Sequence, residues 1–484
     1  MQFVVKYFPE ITIKSRPVRQ QMCRQLQNNL RRLLKPIDAS VQVDAGWETL
    51  RVKVPGEAQR QRVVATLQQT PGIAHSLEVV EYPLGDLADI AERVAALWAA
   101  PLAGRSFVVR CKRSGQHSFR SGDVEREVGA ELLRRADGAR VDLRHAELTV
   151  RVEVRGDRLY VVHRRFQGLG GFPLGVVDPV LSLVSGGFDS TVASYQMMRR
   201  GMQTHFLFFN LGGHAHEVGV KEVSLYLWLK YGASHPVKFI SVPFEPVVAE
   251  ILRCVDDSHM GVILKRMMLR AATEVASTLG IQALVTGESV AQVSSQTLHN
   301  LAVIDQVTDT LVLRPLACSD KGDIVDISRR IGAEQFAAHM PEYCGVISVK
   351  PKTRAKLARV EAEEGKFDFA VLERAVAAAR SERIDDIRLA DEVPPEVEVL
   401  VVPLANAVII DLRHPFEEER SPLRLPGIEI MKIPFYQLAS RTAELDPQRR
   451  YLLYCDQGVM SKLHAAELIR QGLAKVGVYR PDQP

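Results

Sequence analysis

From Asp178 to about Arg380, short apolar runs alternate with helical patterns: VLSLV, a helix, THFLFF, a helix, VKFISV, a helix, then QALVTG. Parallel strands cannot be joined by a tight turn and need a long crossover, usually a helix. The alternation therefore commits this stretch to a parallel α/β sheet. Residues 401–484 repeat it on a smaller scale through NAVIIDLR, IEIMKIPF, RRYLLYC, the helical KLHAAELIRQG and KVGVYRP. Between them, 381–400 (SERIDDIRLADEVPPEVEVL) is charged and contains proline, and reads as a linker.

The first third is different. Residues 1–58 alternate apolar and polar positions around a helical stretch from about Pro17 to Leu34, and 59–165 form a second unit of the same α+β kind. GLGGFPLG, Gly168–Gly175, closes this third as a linker or turn. Between Ile11 and Lys35 stand Lys14, Arg16, Arg19, Arg24, Arg31, Arg32 and Lys35 with no acid. Residues 105–122 add five basic residues, again with no acid, and interleave His117 and Phe119. A solvated helix face explains one such run. Two suit phosphate neutralisation and point to nucleic acid, with Lys112, Arg113 and Arg120 as candidate contacts.

Composition closes off other classes. The 484 residues suggest about three or four domains. Apolar content of 46% and charged content of 25% exclude a disordered or collagen-like chain. Six cysteines with no C-x-x-C pair give no support to a zinc knuckle and read as reduced thiols. The N-terminus has early charge and no apolar core of a secretory signal. The apolar stretch Val399–Ile410 falls well short of the ~20 residues a membrane span needs. The expectation is a cytoplasmic protein without a membrane partner.

Two segments carry chemistry. The strand LSLV runs into Ser185-Gly186-Gly187-Phe188-Asp189-Ser190 and then a helical pattern. Glycines at such a turn let backbone N–H groups face an anion, and the helix dipole adds to the pull. Ser185 and Ser190 add hydroxyl donors. No Gly-Lys-Ser/Thr follows, so this is not a Walker A loop. The second segment is Cys455-Asp456-Gln457-Gly458-Val459-Met460-Ser461, between a strand and a helix. Loop amides and a helix N-terminus favour an anionic sulfur. Asp456 opposes that unless the amides or Arg413 compensate. A phosphatase would need arginine at position 461, which is Ser. Cys344, in MPEYCGVISVKP, reads by itself as a structural loop cysteine.

The hexapeptide at Ser185 resembles the pyrophosphate loop of the N-type ATP pyrophosphatases, which split ATP between its α- and β-phosphates. The loop at Cys455 resembles that of rhodaneses, whose cysteine carries a transferable sulfur. Together with the basic modules and the runs NLGGHAHEVGV, GVILKRMMLRAA, TGESVAQVSSQTL, CSDKGDIV and MPEYCGVIS, the whole chain resembles the tRNA 4-thiouridine synthetases. That resemblance implies a multidomain α+β and α/β fold. Its parts are a ferredoxin-like domain (1–58), a THUMP RNA-binding domain (59–165), a parallel-sheet ATP pyrophosphatase domain (178–380) and a small α/β rhodanese domain (401–484).

The resemblance also implies roles. Leu183 and Val184 would contact adenine. Ser185, Gly186, Gly187, Asp189 and Ser190 form the loop, with Lys265, Gly287 and Gln296 as further ATP contacts. Asp189 and Lys321 would support adenylation. Cys455 would carry a persulfide and Cys344 would resolve it, leaving a Cys344–Cys455 disulfide. ATP with Mg²⁺ is the implied cofactor, with no prosthetic group and no dedicated protein metal site. Implied partners are tRNA, a cysteine desulfurase and the sulfur-carrier protein of thiamine thiazole synthesis. Two other readings stay open: a small-molecule ATP pyrophosphatase or amide ligase, which needs only the Ser185 loop, and a rhodanese-type sulfur relay, which needs only Cys455.

Overall fold

The computed structural model describes residues 1–46, 48–211, 213–338, 351–387, 397–404, 406–413, 418–419, 421–433, 438, 441–455 and 459–481. Cys344, Asp456 and Gln457 lie outside the described residues. The chain divides into two units, Met1–Val177 with Arg199–Gly201, and the remainder.

The first unit is built on one eight-stranded sheet. Its strands are β1 (Gln2–Tyr7), β2 (Gln42–Ala45), β3 (Thr49–Lys53), β4 (Ile73–Pro83), β5 (Ser106–Ser114), β6 (Arg140–Val141), β7 (Leu148–Arg155) and β8 (Arg158–Gly170). Their order is β2-β3-β1-β4-β8-β7-β5-β6. The two N-terminal modules are thus joined edge to edge, because β4 pairs with β1 on one side and with β8 on the other. β8 continues into the first glycines of GLGGFPLG, with Gly170 opposite Ile73, so that segment begins as strand and not as linker.

Side chains alternate across each strand. Phe3 and Val5 pack with Leu26 and Leu30 of the helix Arg16–Leu34, so Val4 and Lys6 leave the other face. In the same way Phe107 and Val109 pack with Val124 and Val128 of the helix Ser121–Arg135, and Arg110 and Lys112 leave the other face.

The second unit holds two sheets. The larger contains β9 (Val177–Leu183), β10 (Met202–Asn210), β11 (Lys238–Pro243), β12 (Ala283–Val285), β13 (Leu311–Leu313) and β14 (Arg380–Arg383), in the order β13-β12-β9-β10-β11-β14. β12 runs parallel to β9 and β13, and β10 to β11. The chain starts at β9, builds outward through β10 and β11, then returns to add β12 and β13 on the other flank. The strand order therefore switches between β9 and β12, and a crevice opens beyond their carboxyl ends.

The helix Met260–Thr278 is buried nearly all round, and Ile263, Met267 and Ala271 are fully covered. Burying the larger two, Ile263 and Met267, contributes about 1.5–3 kcal/mol each. Its buried Arg266 is answered by Glu364 at 2.6 Å. Residues 380–383, at the start of the expected linker, instead form β14, antiparallel to β11 at the sheet edge. Charged residues on an edge strand deter further pairing, and they hide the strand from hydropathy.

The smaller sheet contains β15 (Val399–Leu400), β16 (Ala407–Asp411), β17 (Glu429–Lys432), β18 (Arg450–Tyr454) and β19 (Val476–Tyr479), in the order β15-β19-β18-β16-β17. All its pairings are parallel. Here the order switches between β16 and β18. No helix among the described residues is long and apolar enough to cross a membrane.

Candidate functional site

The Ser185 loop leaves β9 and the Gly287 loop leaves β12, so both stand over the switch point. Gly186 has φ +81°, a conformation that side-chain-bearing residues rarely adopt. Gly187 carries no such demand. A Cβ on Gly287 would lie 2.5 Å from Ser190 N and 2.6 Å from Asp189 C, so only glycine allows the two loops to touch. Ser185 is exposed at the loop tip. Ser190 is buried, and its Oγ accepts the Ser185 N–H at 3.1 Å. The hydroxyl expected to face an anion therefore braces the loop from inside.

Asp189 and Lys321, expected to work together, meet: Lys321 Nζ donates to Asp189 Oδ1 at 2.8 Å and to Oδ2 at 3.0 Å. Gln292 Nε2 donates to Oδ2 at 3.1 Å. Among the described residues Ala291 is the non-glycine with positive φ, at 66°. That left-handed turn costs roughly 1 kcal/mol. It folds residues 289–296 back so that Ala291 N–H reaches the Gln296 carbonyl oxygen at 3.0 Å. Gln296 Oε1 is buried without a hydrogen-bond partner among the described residues. A buried amide oxygen in that state leaves a place for a ligand donor.

Lys265 Nζ bonds Glu288 Oε1 at 2.6 Å, and Arg314 Nε bonds Oε2 at 2.7 Å. Burial pushes the Glu288 pKa up, but Lys265 and Arg314 outweigh it and hold the carboxyl below its ordinary range. Arg314 in turn grips Asp305 through both terminal nitrogens. His216 Nε2 lies 3.3 Å from the Ser185 carbonyl oxygen and edge-on to Phe208, and burial keeps its pKa low. Leu183 ends β9 and Val184 follows it into the loop, where Val184 N–H bonds the Leu207 carbonyl. Sequence reasoning missed Glu288, Gln292, Arg314 and His216. All four lie in or beside runs it quoted, but none makes a local pattern.

At the smaller sheet's switch point, Cys455 follows β18 and Asp411-Leu412-Arg413 follows β16. Leu412 N–H bonds the Tyr454 carbonyl at 2.9 Å and stitches the two ends together. Cys455 Sγ lies 3.2 Å from Ser461 Oγ and receives the Ser461 N–H at 3.4 Å. Arg413, a candidate to offset Asp456, is buried and committed to Asp411, with Nε to Oδ1 at 2.9 Å and Nη2 to Oδ2 at 2.7 Å. Among the described residues, Cys455, Cys23, Cys111, Cys254 and Cys318 form no disulfide with one another. The expected partner Cys344 is outside the described residues.

On the first unit, a cleft of about 650 Å³ is lined by strand residues, among them Lys6, Lys112 and Glu153, and by Arg19 and Glu125 of two helices. Lys6, Arg19, Arg110, Lys112, Arg151 and Arg165 line it against Glu48, Glu125 and Glu153, a clear positive excess. Burial lowers the Lys6 pKa while Glu153 at 2.9 Å pulls it back up. Burial and then Arg165 press His75 down to about 4. Lys112 is in this cleft. Arg113, the next residue of the same strand, points to the other face, where it contacts His117 at 3.0 Å. Arg120 is exposed at the start of the helix Ser121–Arg135. The three candidate RNA contacts therefore do not share one surface. No cluster of three or more His, Cys, Asp or Glu able to hold a metal occurs among the described residues.

A phosphate-type loop on a parallel sheet, joined to a basic sheet module and a cysteine loop, defines a class: α/β enzymes that act on an anionic substrate of nucleic-acid kind. Family models agree. The model for thiamine biosynthesis protein (ThiI) matches residues 175–369, the THUMP domain model 85–164, and the ThiI ferredoxin-like domain model 2–76. A tRNA sulfurtransferase of Pseudomonas aeruginosa (strain UCBPP-PA14) is 57% identical over 483 residues, 99% of this chain and 100% of the relative. One from Azotobacter vinelandii is 56% identical over 485 residues, with the same coverage. The chain belongs to the tRNA sulfurtransferase family.

Among solved structures, a 4-thiouridine synthetase in complex with RNA and bound ATP superposes with a TM-score of 0.70 at 24% identity, covering 79% of this chain and 99% of that one. A Pyrococcus horikoshii protein gives 0.53 at 16% identity, covering 69% and 100%. These two likenesses speak to the fold.

Proposed function

We propose that the chain uses ATP to transfer sulfur to a uridine of tRNA, giving 4-thiouridine. The observation that carries this reading is the contact at the switch point, where Gly287 lets the β12 loop lie directly on Asp189 and Ser190. In its support, Lys321 and Gln292 both donate to Asp189 beside this turn, and Gln296 Oε1 has no hydrogen-bond partner among the described residues.

A uracil carbonyl oxygen is a poor leaving group. ATP converts O4 to an adenylate and releases pyrophosphate, and AMP then leaves easily; Mg²⁺ carried on the triphosphate would offset its charge. The Ser185–Gly187 turn and the helix behind it stabilise charge as the α–β bond breaks. Leu183 and Val184 offer backbone groups to adenine, and Lys265 and Gln296 complete the nucleotide contacts. Lys321 neutralises Asp189, which would otherwise repel the phosphates.

Cys455 receives sulfur from a cysteine desulfurase. The outer sulfur of its persulfide attacks C4, AMP departs, and an S–S bond links Cys455 to the base. The Cys344 thiolate attacks Cys455 Sγ, which frees the thiolated uridine and leaves a Cys344–Cys455 disulfide for cellular reductant to reopen. Such transient disulfides suit the cytoplasm, where we place the reaction. The same persulfide serves the thiamine sulfur-carrier protein. In domain terms, 1–58 and 59–165 hold tRNA, 178–380 holds ATP, and 401–484 acts as a rhodanese unit.

The test is to incubate unmodified tRNA with ATP, a desulfurase and cysteine, then look for the near-ultraviolet absorbance of thiolated uridine. Wild type forms it; Asp189→Ala and Cys455→Ser do not. Thiolation by Cys455→Ser would overturn the carrier role. Sulfur transfer to tRNA by Asp189→Ala at the wild-type rate would overturn the nucleotide role.

A further inference from the structure

Cys455 leaves the end of β18, and the helix Val459–Arg470 brings Ser461 back over its sulfur. Ser461 is fully buried, with 0% exposure. A buried hydroxyl without a partner costs about 1–3 kcal/mol. Here its partner is the sulfur, 3.2 Å from Oγ, and the Ser461 N–H adds a second donor at 3.4 Å. A loop that binds a phosphate dianion sets an arginine at this place. A neutral hydroxyl cannot balance two charges, but it suits a single one.

Among the described residues, the charged groups nearby are already engaged. At the end of β16, Asp411 and Arg413 pair with each other, and Arg413 lies 4.9 Å over the Tyr454 ring. On the helix itself His464 is buried, and burial holds its pKa near 4, so it is neutral at ordinary pH. Glu222 approaches His464 Nε2 at 3.3 Å.

We propose that Ser461 is the sulfur-holding residue of this loop: its hydroxyl and amide donate to the anionic sulfur of Cys455 and so favour a monoanionic sulfur cargo over phosphate. This rests on the reading that Cys455 carries sulfur. In loading, the Cys455 thiolate attacks the outer sulfur of the donor's persulfide. One S–S bond forms on Cys455, the donor's S–S bond breaks, and the donor cysteine leaves as thiolate. Ser461 transfers no proton in this exchange; it lowers the energy of the sulfur anion before and after it.

The test is the pH dependence of Cys455 alkylation by iodoacetamide in the full chain, read on the Cys455 peptide by mass spectrometry. Wild type has its midpoint below the ~8.5 of an ordinary thiol. In Ser461→Ala the midpoint rises by about one unit, equivalent to about tenfold less thiolate at neutral pH. Persulfide loading falls with it, and Ser461→Thr restores both. An unchanged midpoint in Ser461→Ala, or a wild-type midpoint at or above 8.5, overturns the proposal; the second measurement holds even if the variant folds poorly. The carrier reading fails separately, through tRNA thiolation by Cys455→Ser.

Discussion

Lys321 Nζ lies 2.8 Å and 3.0 Å from the two carboxylate oxygens of Asp189, a pair closed across 132 residues of chain. Lys321 is also the first residue of the helix Lys321–Ile331, where a cation opposes the helix dipole. Asp189 offsets that cost. The half-exposed pair contributes at most about 1 kcal/mol to stability. Lys321→Ala should leave the melting temperature nearly unchanged yet lower ATP-dependent thiolation by about 100-fold or more. Turnover measured by AMP release checks this, and activity within twofold of wild type would contradict it.

Gly287→Ala should abolish nucleotide binding, because its Cβ has only backbone to displace, 2.5 Å away. Gly122→Ala, where an added Cβ meets nothing within 4 Å, is the control and should bind ATP as wild type does. Calorimetric titration of ATP into both variants separates the two cases.

Glu288→Gln removes the charge that Lys265 and Arg314 share. Breaking a buried pair from one side costs about 3–5 kcal/mol. The urea midpoint of the second unit should fall accordingly. Glu288→Asp, which keeps the charge at a shorter reach, should lose less.

Lys112 and Arg113 are adjacent in sequence but belong to opposite faces of the sheet. Lys112→Ala should weaken tRNA binding and reduce the slope of log K against log salt by about one. Arg113→Ala should change the slope less. Filter binding across a salt series decides it, and equal slopes would mean that the basic cleft is not the RNA surface.

His205 Nδ1 accepts the Lys238 N–H at 3.1 Å, tying β10 to β11, and burial with Lys238 depresses its pKa to about 4. Protonation would destroy that acceptor. The folded value lies below the unfolded value near 6.5, so the unfolded chain binds the proton more readily. The stabilisation is complete above about pH 6.5 and is lost as pH falls toward 4. Denaturant titrations across that window should show a declining midpoint. In His205→Gln, which titrates no proton, the decline should be shallower.

How much of this could be read from sequence depends on how local each signal is. The turn Ser185–Ser190 was legible because strand, glycines and helix are contiguous. The direction of a side chain was not: Ser190, read as an anion donor, is turned inward onto Ser185 N–H. Glu288 carries no local signal within TGES, and only the fold brings Lys265 and Arg314 to it. β14 escaped because an edge strand of charged residues carries no apolar alternation. Ser461 entered the sequence argument only as a missing arginine, and its contact with Cys455 comes from a helix returning over its own loop.

The six residue pairs that join β1 to β4, and the ten that zip β4 to β8, leave the two N-terminal modules no hinge of their own. Cutting between them would bare a long run of unpaired backbone on each fragment, and such raw edges invite self-association. Neither piece should therefore stay dispersed in isolation. The pair should be expressed and transplanted as one cassette, with the spacing between its basic positions fixed like marks on a ruler.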